Sequence, residues 1–242
     1  MSVKDFENER WRHEDQKICF RHKAAFDLII NDSRDGVASV LDLGCGDGLL
    51  LSFLKENGIT GKGLDISEEG VEKAKSKGLD ASVFDFNEKL PFPDGIFDVV
   101  VSLDMLEHLY DPENLIKEAV RVSKQYLVIS APNFNSLPAR LQVLFGAVPE
   151  NNKPNKGHIY WFNYSVLEKM ARDNHLVFKD LRVNTIMENR FLIGKLFKIL
   201  AKIWPSLFAL SFVVKLEKET IYPELQNAKN YGLVEQKHLK NK

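Results

Sequence analysis

The sequence predicts an α/β fold in which helices cover both faces of a doubly wound, mostly parallel β-sheet. Short β-branched apolar runs alternate with helix-like segments along the first 130 residues. A glycine-rich turn joins the first run to the first of these helices, and acidic residues close the next two runs. Strands that alternate with helices at this spacing form parallel sheets, because parallel neighbours need a crossover connection.

Seven apolar runs are expected to form the strands. They are rich in branched side chains and are bounded by turn-forming residues, which is the pattern of buried strands. In chain order they cover residues 40–43, 62–66, 82–86, 97–103, 126–130, 177–183 and 207–217.

Capping residues predict where several helices begin. Ser67 is placed to cap a helix that opens with two glutamates, which suit a helix N-terminus. Asp111 and Pro112 have the pattern of a cap followed by a first-turn proline. Ser165 and Glu168 have the spacing of a capping box, which predicts a helix that begins after Ser165. Further helices are expected over residues 49–57, near 137–145 and around 190–203.

Length and composition fit one compact domain with a sizeable core. The 242 residues are 44% hydrophobic and 28% charged, with a formal net charge of −1. This near-neutral charge disfavours broad capture of nucleic acid, so no nucleic-acid partner is expected. Cys19 and Cys45 are too few for a disulfide framework or a metal knuckle, and the charged start does not resemble a secretory signal. These features predict a reduced, cytoplasmic setting.

The chain is expected to divide into three segments. Residues 1–36 are predicted to be an N-terminal helical segment, residues 37–218 the main domain and residues 219–242 a polar tail. Within the main domain, residues 131–163 form a connection longer than is usual between elements. Because ligands of open α/β sheets bind at the carboxyl edge, this connection is expected to form a wall of the ligand-binding site.

The segment VLDLGCGDG is the strongest functional signal in the chain. Gly44, Gly46 and Gly48 follow a strand and precede a helix, so a ligand can approach the bare backbone amides. Their spacing is G-x-G-x-G, which differs from the G-x-G-x-x-G pattern of dinucleotide sites. Asp42 and Asp47 would repel a pyrophosphate but attract a ligand that carries an ammonium and a sulfonium. These features favour S-adenosylmethionine (SAM).

Two further acids are placed to hold the rest of that ligand. Asp65 ends the second predicted strand, where a carboxylate can accept hydrogen bonds from both ribose hydroxyls. Asp85 ends the third, with Phe84 and Phe86 beside it, where it can accept from the adenine amino group while an aromatic or aliphatic neighbour covers the ring. Each acid alone is more often a turn residue than a ligand. Acids at successive strand ends after a glycine turn make chance a poor explanation.

On these motifs the chain resembles class I SAM-dependent methyltransferases. VLDLGCGDG is similar to their first motif, GLDIS to the second, FDF to the third and FDVVVSLDMLEHL to the fourth. The resemblance implies a Rossmann-like sheet of about seven strands with an antiparallel last strand, and release of S-adenosylhomocysteine (SAH) as product. The cofactor-binding residues that it implies are Asp42, Gly44, Cys45, Gly46, Gly48, Asp65, Ile66, Asp85, Phe86 and Leu103.

Within this family the chain is similar to the type 11 and MetW-like groups. The stretch APNFNSLPARLQVLFG, after the fifth strand, resembles the MetW sequence at that place. The first expectation is an enzyme that methylates a small molecule, including one linked to a lipid or a sugar. The alternative is a MetW-like accessory protein that binds SAM or SAH and a partner enzyme, as MetW-like proteins are associated with an acyltransferase of methionine biosynthesis. A nucleotide-dependent oxidoreductase is a third hypothesis, disfavoured by the glycine spacing and the acids.

His108 and His158 are candidate catalytic bases. Methyl transfer mainly needs alignment, because the sulfonium is already an activated leaving group, and a base is required only when the acceptor must lose a proton. Each histidine can instead have a structural role, in packing or in hydrogen bonding. Asp104, Glu107 and His108 also resemble the ExxEH pattern with which ubiquinone-pathway O-methyltransferases hold a metal. The aspartate departs from that pattern, and no metal is expected.

Residues 191–204 predict an amphipathic helix with two alternative roles. Lys195, Lys198 and Lys202 share one helical face, and apolar residues surround the rest. Such a helix can make peripheral contact with an anionic membrane, or it can cover the sheet before the final strand. Pro205 and the lysines disfavour a transmembrane span. The sequence is compatible with a monomer or a homodimer.

Overall fold

A seven-stranded β-sheet organises the chain in the computed structural model, which describes residues 3–13, 17–30, 36–186 and 191–219. The expected polar tail, residues 219–242, lies outside the described residues except for its first residue. The strands are β1 (Ser39–Leu43), β2 (Thr60–Asp65), β3 (Asp80–Val83), β4 (Phe97–Leu103), β5 (Ser123–Pro132), β6 (Leu176–Thr185) and β7 (Ala209–Lys218).

The order of the strands is β3-β2-β1-β4-β5-β7-β6. Strands β1 to β5 are parallel, and β7 is antiparallel to both β5 and β6. The expected antiparallel last strand of a mostly parallel sheet is confirmed. After β1 the chain winds outward to β2 and β3, and then returns to place β4 on the other side of β1. This reversal opens a crevice outside the carboxyl ends of β1 and β4, where ligands of such sheets bind.

Helices pack on both faces of this sheet. They are α1 (Val3–His13), α2 (Phe20–Ile30), α3 (Leu49–Glu56), α4 (Glu68–Ser76), α5 (Pro112–Val122), α6 (Leu137–Leu144), α7 (Tyr164–Asp173), α8 (Phe191–Ile203) and α9 (Pro205–Phe208). Single 3₁₀ turns occupy residues 106–108, 150–152 and 154–156. No helix among the described residues has the length and apolar character needed to cross a membrane.

Two apolar clusters, one on each face, make up the core. Alternation along β4 shows the arrangement: Val99 and Val101 belong to the cluster that includes α2, α3 and α4, whereas Val100 belongs to the one that includes α5 and α7. Successive strand residues point to opposite faces, so a strand covered on both sides reads as a continuous apolar run. The doubly wound architecture predicted from such runs is therefore confirmed.

Two of the predicted helix caps are formed. The Ser67 hydroxyl accepts a hydrogen bond from the Gly70 amide at 3.1 Å, at the start of α4. The Asp111 carboxylate accepts from the Asn114 amide at 3.1 Å, at the start of α5. Each cap satisfies an amide that has no partner within its own helix.

The capping box predicted at Ser165 is wrong. Helix α7 begins at Tyr164, and the Asn163 side chain accepts from the Val166 amide at 3.0 Å. Ser165 lies inside the first turn, where its hydroxyl donates to the Asn163 side chain at 2.7 Å. Asparagine caps helices as well as serine does, so Asn163, two residues earlier, takes the capping position.

The third strand also ends earlier than predicted. It stops at Val83, so Asp85 lies in the following turn and does not end the strand. The Asp85 carboxylate accepts from the Asn87 backbone amide at 3.0 Å and from its side chain at 2.8 Å. An aspartate that binds the backbone two residues on forms a local turn, which competes with continuation of the strand.

Candidate active site

A turn of left-handed glycines carries the chain from β1 into α3. The φ angles of Gly44, Gly46 and Gly48 are 77°, 53° and 78°, values that side-chain-bearing residues adopt at a cost. At Gly46 the space is also closed, because an added Cβ would lie 2.1 Å from the Trp11 ring. Glycine is therefore required there by both conformation and packing.

Asp65 stands at the end of β2 with its carboxylate held by two backbone amides. Gly46 donates to one oxygen at 2.7 Å and Ser67 donates to the other at 2.8 Å. The residue is 6% exposed. Burial raises the pKa of Asp65, and the hydrogen bonds from Ser67 and Gly46 oppose that rise. The carboxylate is thus fixed in orientation by the glycine turn on one side and by the start of α4 on the other.

A cavity of about 780 Å³ opens at this edge of the sheet. Its size is that of a typical pocket for a small molecule or cofactor. It is lined by six of the ten cofactor-binding residues that the sequence predicts: Gly44, Asp65, Ile66, Asp85, Phe86 and Leu103. These residues come from the ends of β1, β2 and β4 and from the turn after β3, so four distant parts of the sequence meet here.

The other four predicted residues lie behind the wall of this cavity and do not line it. Asp42 is within β1 and 3% exposed, and Cys45 is equally buried. Burial raises the pKa of Asp42 to about 7, with a further contribution from the charge of Asp65. Burial also raises the pKa of the Cys45 thiol well above its usual range. Gly46 and Gly48 shape the turn through their backbone.

Helix α1 forms a wall of the cavity that the sequence analysis did not identify. Phe6, Glu7, Arg10 and Trp11 line the cavity from this helix, and Trp11 is 4% exposed against Gly46. The N-terminal segment is therefore part of the site rather than a separate appendage.

Three residues on one face of α1 bind it to the start of α4. Lys4, Asn8 and Arg12 are four residues apart, which places them in a row along the helix. Their partners are consecutive: Ser67 donates to Asn8 at 2.8 Å, Glu68 pairs with Lys4 at 2.6 Å and Glu69 with Arg12 at 3.0 Å. The spacing of four was the available signal, but nothing in the sequence identifies the partners.

Arg21 and Asp104 form an ion pair at the edge of the cavity. One guanidinium nitrogen of Arg21 lies 3.0 Å from the Asp104 carboxylate, whose other oxygen accepts from the Ser130 hydroxyl. The Arg21 Nε atom is buried and has no hydrogen-bond partner among the described residues. Asp104 has a φ of 48°, a strained value for a residue with a side chain. A buried donor without a hydrogen-bond partner, next to a strained residue, is typical of a ligand-binding site.

Glu107 lies in the 3₁₀ turn after β4 and binds this turn to the long connection formed by residues 131–163. Its backbone oxygen accepts from the amides of Ile159 and Tyr160 at 2.8 and 3.0 Å. Its side chain is 1% exposed, and one carboxylate oxygen, Oε2, has no partner among the described residues. Burial, followed by the negative charge of Asp104, raises the pKa of Glu107 well above its ordinary value.

The two predicted histidines, His108 and His158, meet beside Glu107, with ring centroids 4.9 Å apart. The Nδ1 atom of His108 lies 3.1 Å from the Gly157 oxygen, and that of His158 lies 2.8 Å from the Asn151 oxygen. A carbonyl oxygen can only accept, so each Nδ1 carries a proton and each Nε2 keeps a lone pair. Burial lowers the pKa of His108 to about 4 and lowers that of His158 as well. Burial therefore favours the neutral form of both rings, in which each Nε2 lone pair can accept a hydrogen bond.

The same cluster could also hold a metal ion. The ligand atoms of Glu107, His108 and His158 all lie within 4.8 Å of one another. This set differs from the one that the ExxEH resemblance suggests, because Asp104 pairs with Arg21 instead. A carboxylate and two neutral imidazoles are a common set of ligands for zinc.

A model of the family described as "Methionine biosynthesis protein MetW" matches residues 23–211, well over half of the chain. The chain belongs to the MetW family. This confirms the resemblance that the glycine turn and the segment after β5 predicted. The family match leaves the oxidoreductase hypothesis without support.

This MetW-family protein is also similar to curated methyltransferases. Ajmaline N-methyltransferase of Rauvolfia serpentina is 39% identical over 117 residues, which cover 45% of this chain and 38% of that protein. Ubiquinone biosynthesis O-methyltransferase of Thiobacillus denitrificans is 29% identical over 152 residues, 59% of this chain and 66% of that protein. The chain thus spans less than two thirds of the length of these curated relatives.

Solved structures share the fold of this MetW-family protein. Magnesium protoporphyrin IX methyltransferase of Synechocystis PCC 6803, crystallised with SAH, superposes with a TM-score of 0.63 at 19% identity. The match covers 90% of this chain and 98% of that one. A SAM-dependent methyltransferase from Archaeoglobus fulgidus has a TM-score of 0.59 at 20% identity, covering 90% of this chain and all of the other. The fold is that of class I methyltransferases.

Proposed function

We propose that this protein binds SAM and transfers its methyl group to a small-molecule acceptor. The observation that carries the proposal is Asp65, whose carboxylate faces the cavity while the amides of Gly46 and Ser67 hold it still. Each carboxylate oxygen accepts one of these bonds and has a second lone pair. Both oxygens can therefore still accept a ribose hydroxyl. The methyltransferase relatives and the neighbour that binds SAH support the same conclusion.

The residues present fit SAM on both charge and shape. Asp85 and Phe86 line the cavity next to Ile66 and can hold an adenine by a hydrogen bond and by apolar contact. At the other end, Arg21 offers a buried Nε donor without a partner, which suits the carboxylate of the methionine moiety. When bound, SAM supplies a methyl group on a sulfonium, which needs no further activation. The binding energy of these residues then serves to align the methyl group with the acceptor.

His158 and His108 are the residues that we assign to the acceptor. Both line the cavity, and in the neutral ring each has an Nε2 lone pair that can accept the proton of an acceptor hydroxyl as the methyl group is transferred. His158 belongs to residues 131–163, which we propose as the acceptor-side insertion. Asn155 and Lys156 of the same connection also line the cavity. An acceptor bound there would be enclosed between this connection and α1.

The second candidate function is that of an accessory protein that binds SAM or SAH and a partner enzyme. The family match to a methionine biosynthesis protein favours it. One structural neighbour, a putative methyltransferase, was solved in complex with the Haloferax volcanii Trm112 methyltransferase activator, so this fold can accommodate a protein partner. In this function the cavity would bind the nucleoside without significant turnover.

Transfer of label from methyl-labelled SAM into a cell extract separates the two functions. The enzyme predicts labelled product and SAH only when the protein is added. The Asp65→Ala variant should lower this activity strongly, whereas Asp27→Asn, a change on the exposed surface of α2, should keep it. An accessory protein predicts no label transfer, retained SAH binding and co-purification with another enzyme, and that pattern would replace the proposal.

A further inference from the structure

Helix α8 carries an exposed stripe of aliphatic side chains. Leu192, Leu196, Ile199 and Ile203 recur at intervals of four, three and four residues, which places them on one face of the helix. Each is between 54% and 77% exposed, and Trp204, just after the helix, is 57% exposed. A continuous exposed apolar row of this kind marks an interaction surface for a protein, a membrane or a ligand.

The stripe is not the face with which α8 covers the protein. Gly194 and Ala201 lie on the opposite side of the helix and are buried. Phe197 packs against Phe208 of α9 with ring centroids 5.9 Å apart. The helix also contacts β6. Covering the sheet therefore explains the buried face of α8 and leaves the aliphatic stripe unexplained.

Lysines run beside the stripe, and acids are absent from this part of the chain. Lys195, Lys198 and Lys202 are all exposed and lie on the face next to the aliphatic row. Residues 191–208 contain no aspartate or glutamate. An apolar row flanked by cations is complementary to an anionic lipid surface, with aliphatic side chains below the headgroups and ammonium groups among them.

Topology places α8 at the same edge of the sheet as the cavity. The helix lies between Thr185, which ends β6, and Ala209, which begins β7, and these two residues pair with each other. The adjoining register pairs Pro132, the last residue of β5, with Ser211. Both ends of the α8 connection are thus at the carboxyl edge of β5.

The long connection after β5 leaves the same edge and is also rich in exposed apolar side chains. Leu144, Phe145 and Trp161 are 74%, 81% and 62% exposed. Most of the large apolar side chains that are exposed among the described residues belong to this connection or to α8 and Trp204. Exposed apolar side chains are therefore concentrated in the two segments that leave the edge where the cavity opens.

We propose that α8 docks the protein on an anionic membrane surface, with the aliphatic stripe in the interface and the lysines against the headgroups. Docking does not depend on methyl transfer. Its consequence for the acceptor rests on the proposed function: a membrane-borne, amphiphilic acceptor would meet the protein at the edge where the cavity opens.

The test is co-sedimentation of the full chain with two kinds of vesicle, one of phosphatidylcholine alone and one that also contains phosphatidylglycerol. Binding is expected to the anionic vesicles only, and to weaken as salt is raised. The Leu196→Glu/Ile199→Glu variant should lose binding by more than tenfold. Each lysine changed to glutamine should weaken it about fivefold.

A matched control is Ile96→Glu, which adds a charge at an exposed isoleucine just before β4, at the opposite edge of the sheet. It should bind anionic vesicles nearly as well as the unmodified protein. Melting temperatures and SAH affinities that match across all variants show that the fold is retained. The proposal would be overturned if the protein did not bind anionic vesicles or bound both kinds of vesicle equally. It would also be overturned by a dimer that Leu196→Glu dissociates, because the stripe would then be an interface between two copies.

Discussion

The two sides of the cavity are built in different ways. The proposed cofactor side comes from short turns at the ends of β1, β2 and β3, and its central side chain, Asp65, is held by two backbone amides. The proposed acceptor side comes from the turn after β4 and from the long connection that precedes α7. There His108 and His158, fifty residues apart in sequence, are held by carbonyl oxygens of the connection itself. Helix α1 contributes to the cavity from a third place in the chain.

This difference indicates how the two sides can vary. A side chain that is oriented by backbone within a strand-turn-helix unit keeps its position as long as that unit folds. Side chains held by a long connection depend on packing between distant segments, and such connections tolerate change more readily. This difference is what we expect if the proposed cofactor side holds one constant ligand and the proposed acceptor side can be adapted to different ones.

Gly46→Ala is expected to cause the largest loss of stability, because it adds a side chain at the tightest point of the proposed cofactor side. Left-handed strain and a collision with the Trp11 ring should together cost about 3 kcal/mol of unfolding free energy. Chemical denaturation measures this cost. The control is Gly58→Ala, which has a φ of 74° but no atom within 4 Å of the added Cβ, and should cost only about 1 kcal/mol. Equal costs for both variants would mean that the contact with α1 is not rigid.

Asp42→Asn tests whether the buried Asp42 carboxyl is protonated in the folded protein near neutral pH. The folded-state pKa of Asp42 is raised to about 7, so the folded protein holds a proton that the unfolded chain releases near pH 4. The stability of the ligand-free protein should therefore fall as pH rises from about 4 to 7. The asparagine variant should avoid this loss and be more stable by about 4 kcal/mol at pH 8, with little gain at pH 4. Denaturation curves at pH 4 and pH 8 measure the difference in stability between the variant and the unmodified protein. An equal difference at both pH values would contradict the raised pKa of Asp42.

His158→Ala breaks the acceptor side alone. Loss of the proposed base should lower turnover by about 100-fold when the acceptor must lose a proton, while SAH affinity stays nearly unchanged. Turnover is followed by SAH formation and affinity by calorimetry. His175→Ala, a change at an exposed histidine after α7, is the control and should affect neither. A parallel loss of SAH affinity would place His158 on the cofactor side.

Asp65→Ala is the counterpart of His158→Ala, because it should weaken cofactor binding. Its expected change in binding free energy is the smallest of the four. Removing the acceptor for two ribose hydroxyls should weaken SAM and SAH binding by about 1.5–3 kcal/mol. The amides of Gly46 and Ser67 also lose their partner, so Asp65→Asn, which keeps one acceptor oxygen, should recover part of the affinity. Calorimetry that finds unchanged affinity for both ligands would remove Asp65 from the site.

Several parts of the site follow from local patterns. The strand periodicity, the glycine turn and the caps at Ser67 and Asp111 each depend on residues close together in sequence, and the structure has them as predicted. Where two local signals competed, prediction was less accurate. Asn163 caps α7 in place of Ser165, and the turn formed by Asp85 ends β3 two residues before that aspartate.

The sequence by itself determined the doubly wound sheet, the family and the cavity-lining residues that follow β1 and β2, because periodicity and turn chemistry act over a few residues. Only the tertiary structure decided that α1 forms a wall of the cavity, that Glu107 is buried next to the contact between His108 and His158, and that the apolar stripe of α8 faces outward. Those arrangements depend on contacts between segments tens of residues apart. Such contacts are set by packing and charge pairing between whole elements, which no short pattern in the chain encodes.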